Sequence, residues 1–173
     1  MRLYATKLSP DSYNNYYCQI DEFYINTDLL FTPTASSYLS GMEPSKLNDR
    51  YVDTFWSSNM HTTSYSTEWV QIDLDSTQYV SGIRLVARPG NSWPEEFQIQ
   101  SSNDGITWTT IPGEKYDQNN NVGDTVPRLY PFNSLLSTRY LQIYATKLRP
   151  DNYGNYYFQL GEIYVDLGEV YVP

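Results

Sequence analysis

Apolar and polar residues alternate along most of the chain, in short runs. In WVQIDL (69–74), Val70, Ile72 and Leu74 alternate with polar neighbours, the period-2 pattern of a strand with one buried face. YVSGIRLVA (79–87), EFQIQSS (96–102), ITWTTI (106–111), RLYPF (128–132), RYLQIYATKL (139–148) and YYFQLGEIYV (156–165) follow. Turn signals separate them: the Asp-Ser-Thr stretch at 75–77, then Pro89 to Asn91, Asn103 to Gly105, and Asn119 to Asn121 with Gly123. Residues 34–66, rich in Ser, Thr, Asn and Pro, show no helical period and predict a long loop region. Many short strands with polar turns predict an all-β fold, a sandwich or jelly roll. In such folds the long loops gather at one end, where function usually sits.

The same pattern is partly duplicated. RLYATKLSPDSYNNYYCQIDEFYIN (2–26) and QIYATKLRPDNYGNYYFQLGEIYVD (142–166) share 14 identities in 25 positions at a constant offset of 140. The register continues weakly from 26–33 to 166–173, and both stretches end in Pro. A repeat of domain size is the simplest reading. It divides the chain into the tail of a preceding copy (1–26), one whole copy (27–166) and the start of a following copy or linker (167–173). An isolated hairpin is marginal in water. Residues 1–26 are therefore expected to pack on their own domain as an inter-repeat contact, or to replace 142–166 of a neighbouring molecule as a strand swap.

Composition narrows the function. At 173 residues there is room for one ordinary domain, and a core of that size needs no disulfide. None can form within the chain, because Cys18 is alone. Eighteen tyrosines and four tryptophans suit pleated surfaces better than helices, and Tyr suits a surface that grips polar ligands through apolar patches. A net charge of −9 with no basic run argues against nucleic acid and against anionic lipid. There is no membrane-spanning apolar run and no signal peptide, which reads as a fragment of a larger protein.

Taken in order, NDRYVDTFWSS (48–58), WVQIDL (69–74), IRLVARPG (83–90), FQIQSSNDGITWTTI (97–111), RYLQIYATKL (139–148) and YYFQLGEIYV (156–165) resemble the discoidin, or coagulation-factor type C, domain. The resemblance is strongest to bacterial carbohydrate-binding modules of family 32 and covers nearly all of 34–166. It implies an eight-stranded jelly-roll β-sandwich of the galactose-binding-domain type, non-catalytic, secreted or displayed at a bacterial cell surface. Many eukaryotic members close the domain with a disulfide; this copy has no cysteine. Cys18 corresponds to Phe158 by the repeat register, and a small buried apolar side chain is the expected reading.

The family's structural Ca²⁺ motif resembles the stretch holding Asp49, Thr54 and Trp56, with Glu162 in the final strand. The resemblance implies side-chain oxygens from Asp49, Thr54 and Glu162, and carbonyls from Lys46, Tyr51 and Thr54. Such a set suits calcium, which takes six to eight hard oxygen ligands in irregular geometry. Arg50 stands where the family has Gly. A left-handed backbone there would strain Arg, so a reshaped loop with Asp53 as an extra or substitute ligand is the alternative.

A sugar ring offers an apolar face and a rim of hydroxyls. Arg88 matches the family's ligand-gripping Arg, whose planar fork can hold two adjacent hydroxyls; the alternative is a surface pairing with Glu95 or Glu96. Asn91 is a candidate rim partner and Trp93 a candidate platform, though Trp93 could instead pack inward beside Pro94. Tyr156, then Tyr153, matches the family's stacking aromatic, and His61 lies close to where relatives place a sugar-binding His. Trp56, Trp69 and Trp108 are expected in the core or supporting loops. The implied partner is a galactose-type or related glycan, bound weakly and strengthened by repetition. No enzyme is expected: His61 has no evident Ser or Asp partner, and Glu95 and Glu96 point to opposite faces. The rival function is a structural or adhesive spacer with no working sugar site.

Overall fold

The computed structural model describes residues 10, 12–16, 31–51, 53–88, 93–113, 115–116 and 126–168. Most of the leading repeat segment, Cys18, Asn91 and the chain beyond Gly168 lie outside the described residues.

The strands are β1 Thr32–Ala35, β2 Trp56–Ser57, β3 Glu68–Ala87, β4 Glu96–Ser102, β5 Thr109–Thr110, β6 Lys115–Tyr116, β7 Arg128–Lys147, β8 Arg149–Pro150, β9 Tyr156–Tyr157 and β10 Gln159–Leu167. A short 3₁₀ turn spans Pro44–Asn48. The stretch expected as loop, 34–66, is thus more ordered than its composition suggests. Leu47 and Trp56 explain why: both are fully buried and pin the segment to the core.

Two pairs of predicted strands are each one continuous strand. β3 joins the 69–74 and 79–87 runs, and β7 joins 128–132 to 139–148. The two long strands pair antiparallel along their length, and their ladder slips between Asp73 and Gln78. There Asp75 takes φ 64°, a left-handed conformation that Asp tolerates better than most residues. The polar stretch is a corner inside a strand, not a break between strands.

That corner builds the sandwich. The first half of β3 pairs with β1, Ala35 opposite Val70; the second half pairs with β10, Ile163 opposite Leu85. The remaining order runs β7, β4, β5, with β6 also on β4. Alternate residues from both halves, Val70 and Ile72 with Ile83 and Leu85, face one core shared with Phe97, Ile99, Leu141, Ile143 and Leu160. Edge-on aromatic pairs tighten it: Trp56 on Phe158 at 5.1 Å and Phe97 on Tyr130 at 5.5 Å. Each such pair contributes about 0.5–1.5 kcal/mol beyond its burial.

Candidate functional site

Strand register gathers the candidate residues at one end. Leu160 pairs with Ala87 and Gln159 with Ser57, so Arg88, Gln159 and Ser57 form a row across three strand ends. Arg88 Nη1 donates to Gln159 Oε1 at 2.7 Å, and Gln159 Nε2 donates to Ser57 Oγ at 2.8 Å. The guanidinium also lies 4.1 Å over the Phe55 ring. It is half-buried and held flat, with donors left over for a ligand. The alternative pairing with Glu95 or Glu96 is not made among the described residues; Glu95 takes Lys147 Nζ at 2.7 Å instead.

His61 joins the same end through Tyr156. The two backbones exchange hydrogen bonds of 2.9 and 3.0 Å. His61 Nε2 lies 2.7 Å from Glu68 Oε1. Glu68 is buried, and Ser36 and Ser37 donate their hydroxyls to it. Tyr156 packs half-buried against the core. Tyr153 is 90% exposed on the turn that Asp151 closes by accepting from the Tyr153 and Asn155 amides.

Trp93 does not stand as a platform. It is 3% exposed, set edge-on to Phe97 at 5.9 Å and covered by Arg128 at 4.7 Å. Pro94 beside it is also buried, so the inward alternative holds. The apolar area of the indole stabilises the core more than an exposed face would. Asn91 lies outside the described residues.

The acidic loop presents a second arrangement. Arg50 adopts φ 65°, so the loop keeps a left-handed residue where the family's Gly would stand. Asp49 accepts from the Tyr51 amide at 2.9 Å and from Thr54 Oγ1 at 2.8 Å. Lys46 Nζ approaches to 3.8 Å, while Asp53 is exposed. Facing this loop, Glu162 follows a β-bulge at Gly161, a device that re-aims a strand. It is 1% exposed, and neither carboxyl oxygen has a hydrogen-bond partner. Burial pushes its carboxyl up to about 7; the Asp49 carboxyl beside it adds to the shift, and the nearby Arg50 and Tyr51 amides, which point toward it without reaching hydrogen-bond geometry, offset part of it. Two adjacent carboxyls, of which only Glu162 has oxygens without a hydrogen-bond partner, together with a carbonyl-rich loop, are oxygen donors of the kind a hard cation takes.

Phe55, Ser36, Ser37, Glu68, Gln159 and Tyr65 were not legible as site residues. Tyr65 is 76% exposed, on the loop that follows His61, with Lys147 Nζ 5.7 Å from its ring. The one available signal was Glu68, an acid at the first position of an alternating strand, where a buried charge demands partners.

A family model described as F5/8 type C domain matches residues 32–163. Neuropilin-1 of Mus musculus is 33% identical over 103 residues, 54% of this chain and 11% of that protein. The chain therefore spans about a tenth of the length of this curated relative. Among solved structures, the family 32 carbohydrate-binding module of C. perfringens NanJ in complex with galactose superposes with a TM-score of 0.64. It is 18% identical and is covered over 92% of its length by 78% of this chain. Chitosan-binding module 1 of the chitosanase/glucanase from Paenibacillus sp. IK-5 gives a TM-score of 0.61 at 26% identity, over 82% of this chain and 98% of that one.

Proposed function

The chain belongs to the F5/8 type C, or discoidin, family, and from that premise we propose that it is a non-catalytic carbohydrate-binding module taking a neutral, galactose-type glycan. The observation that carries this reading is Arg88: a guanidinium stacked on Phe55, pinned by Gln159, at the strand end that also holds His61. A flat cation with unused donors grips vicinal hydroxyls. His61 supplies a hydrogen-bonding ring, and Tyr153 an exposed aromatic for the apolar face of a sugar.

Structural neighbours include modules in complex with galactose and with 4,5-unsaturated mannuronic acid, and others described as binding pectin or chitosan. Charge sorts these options. A net charge of −9 repels a polyuronate; it would attract the ammonium groups of chitosan, but the Arg88 guanidinium repels them at the site itself. A neutral hexose meets neither penalty.

The Asp49 and Glu162 carboxyls, with carbonyls of Lys46, Tyr51 and Thr54 and the Thr54 hydroxyl, would hold a calcium ion. Bound there, it would neutralise two acids and brace the loop that leads to Phe55. The sensitivity of the melting temperature to a chelator tests it. Secretion, with a place in a larger bacterial surface protein, accords with this reading. Among the described residues no helix is long and apolar enough to cross a membrane.

The test of the function is titration with galactose and a panel of immobilised glycans. Arg88→Ala should weaken binding about ten- to a hundredfold, the loss of charge-assisted hydrogen bonds, with the melting temperature preserved. A folded protein that ignores every glycan would leave the spacer reading in its place.

A further inference from the structure

Glu68 is a buried acid that the binding scheme above does not use. It is 3% exposed at the start of β3. Its Oε1 accepts from Ser37 Oγ at 2.7 Å and lies 2.7 Å from His61 Nε2, while Oε2 accepts from Ser36 Oγ. Ser37 is itself anchored, since its Oγ accepts from the Asn59 amide at 2.9 Å and its carbonyl from Trp56 Nε1 at 3.1 Å. The carboxylate is therefore set in a fixed cradle on the core side of the imidazole. His61 remains partly open on the other side, with 27% of its side chain exposed.

We propose that Glu68 is a positioning residue: it fixes His61 as the Nε2–H tautomer and so turns Nδ1 toward the ligand as a hydrogen-bond acceptor. The logic is one of proton inventory. A carboxylate has no hydrogen to give, so a 2.7 Å contact requires the hydrogen to sit on Nε2. In the neutral ring the lone pair is then on Nδ1. No group among the described residues is recorded against Nδ1, whereas the backbone of His61 is locked by Tyr156. The ring can neither flip nor change tautomer without taking from a buried carboxylate one of the three donors that hold it, leaving only the Ser36 and Ser37 hydroxyls.

This inference rests on the sugar reading of the site and deepens it into a rule of selectivity. An acceptor at Nδ1 demands a donor from the ligand. A free hydroxyl satisfies it; a carboxylate or acetamide oxygen placed there does not. The site is thereby matched to a neutral pyranose with a free hydroxyl facing His61. The carboxylate of Glu68 behind the ring also opposes an anionic substituent.

His61 is the only histidine in the chain, which makes the test direct. Long-range ¹H–¹⁵N correlation spectra of the labelled protein, recorded without ligand at about pH 8 where an ordinary imidazole is neutral, should show a single Nε2–H tautomer. In Glu68→Gln, whose amide can donate as well as accept, the two tautomers should mix. Galactose affinity should fall about two- to tenfold, the worth of one hydrogen bond, with the melting temperature little changed. A wild-type ring that reads as Nδ1–H or as a mixture overturns the proposal. So does a Gln variant that leaves both tautomer and affinity unchanged. Should the Gln variant not fold, Glu68→Asp withdraws the carboxylate from Nε2, and the wild-type spectrum already decides the tautomer. A wild-type Nε2–H signal in a protein that binds no galactose keeps the positioning role and overturns the galactose reading alone.

Discussion

Glu162 lies on an apolar strand with both carboxyl oxygens buried and unpaired. A charge in that position costs several kcal/mol when it is not well compensated, and either a proton or a bound cation would relieve that cost. If calcium fills the role, its concentration sets the stability. At one hundred times its dissociation constant a ligand adds about 2.7 kcal/mol, or about 5–10 °C in a chain of this size. Chelation should lower the melting temperature by that much in the wild type. Glu162→Gln, which keeps the shape and removes the charge, should be indifferent to chelator. Equal chelator sensitivity in both proteins would remove Glu162 from any cation site. Asp104 is the opposite case, an exposed acid with more partners than it needs. Its Oδ1 accepts from the Ile106 and Thr107 amides at 2.8 and 2.7 Å and from Ser102 Oγ at 2.8 Å. The two amides, then the hydroxyl, hold its carboxyl well below the usual carboxylate range. Folding thus weakens its grip on protons, so its stabilising effect is full at neutral pH and lost as acid approaches the depressed folded value. Asp104→Ala should melt below wild type at neutral pH, and the gap should close as pH falls from about 4 toward 2. A gap constant with pH in calorimetry would contradict this account.

At the scale of elements, the long strands were legible in composition and alternation but not in length. The Asp-Ser-Thr stretch carries every mark of a turn, and only the antiparallel partner β7 keeps it inside β3. Pairing with a strand distant in sequence leaves no local trace. The acidic loop was more readable, because its residues answer to a motif, and its left-handed Arg50 was found at the flagged position. Trp93 was ambiguous for a physical reason: an indole is equally suited to a sugar face and to a core, and only burial decides. Glu68 escaped because one polar residue at a strand start is ordinary until its neighbours are known. Past the corner, the ladder slips again between Val80 and Gly82. There a Cβ on Gly82 would lie 3.0 Å from the Tyr130 carbonyl oxygen and 3.2 Å from Pro131 Cα, both backbone atoms. Gly82→Ala should therefore push β3 from β7 and cost about 1–3 kcal/mol, at about 2–4 °C per kcal/mol in a chain of this size. Gly161→Ala is the matched comparison, since its Cβ would meet Val86 at an ordinary 3.6 Å. Equal melting temperatures for the two variants would mean that the close approach at Gly82 relaxes freely.

For the whole molecule, the duplication of 2–26 in 142–166 has consequences that a single domain does not. The proposed site of Arg88, His61 and Tyr153 would offer a sugar few contacts, so its affinity is expected to be low. Copies tethered at the 140-residue offset of the duplicated segments would turn a second binding event into an intramolecular one. The effective concentration is then set by the connection and not by the bulk protein. A chain carrying two complete copies should bind a galactose-coated surface about 10²–10⁴-fold more tightly than one copy, while both bind free galactose equally per site. Charge gives the control. The chain carries a net charge of −9, so neighbouring copies of like composition would repel at low salt and be screened at about 0.15 M, where the Debye length is about 8 Å. An avidity that comes from tethering should survive that change of salt or rise slightly. An enhancement that collapses with salt, or that appears equally with free galactose, would mean that the copies cooperate by contact and not by linkage. Surface plasmon resonance of one- and two-copy chains at two salt concentrations separates these cases. Substituting Arg88 by Ala in only one of the two copies should return the binding to the single-copy level.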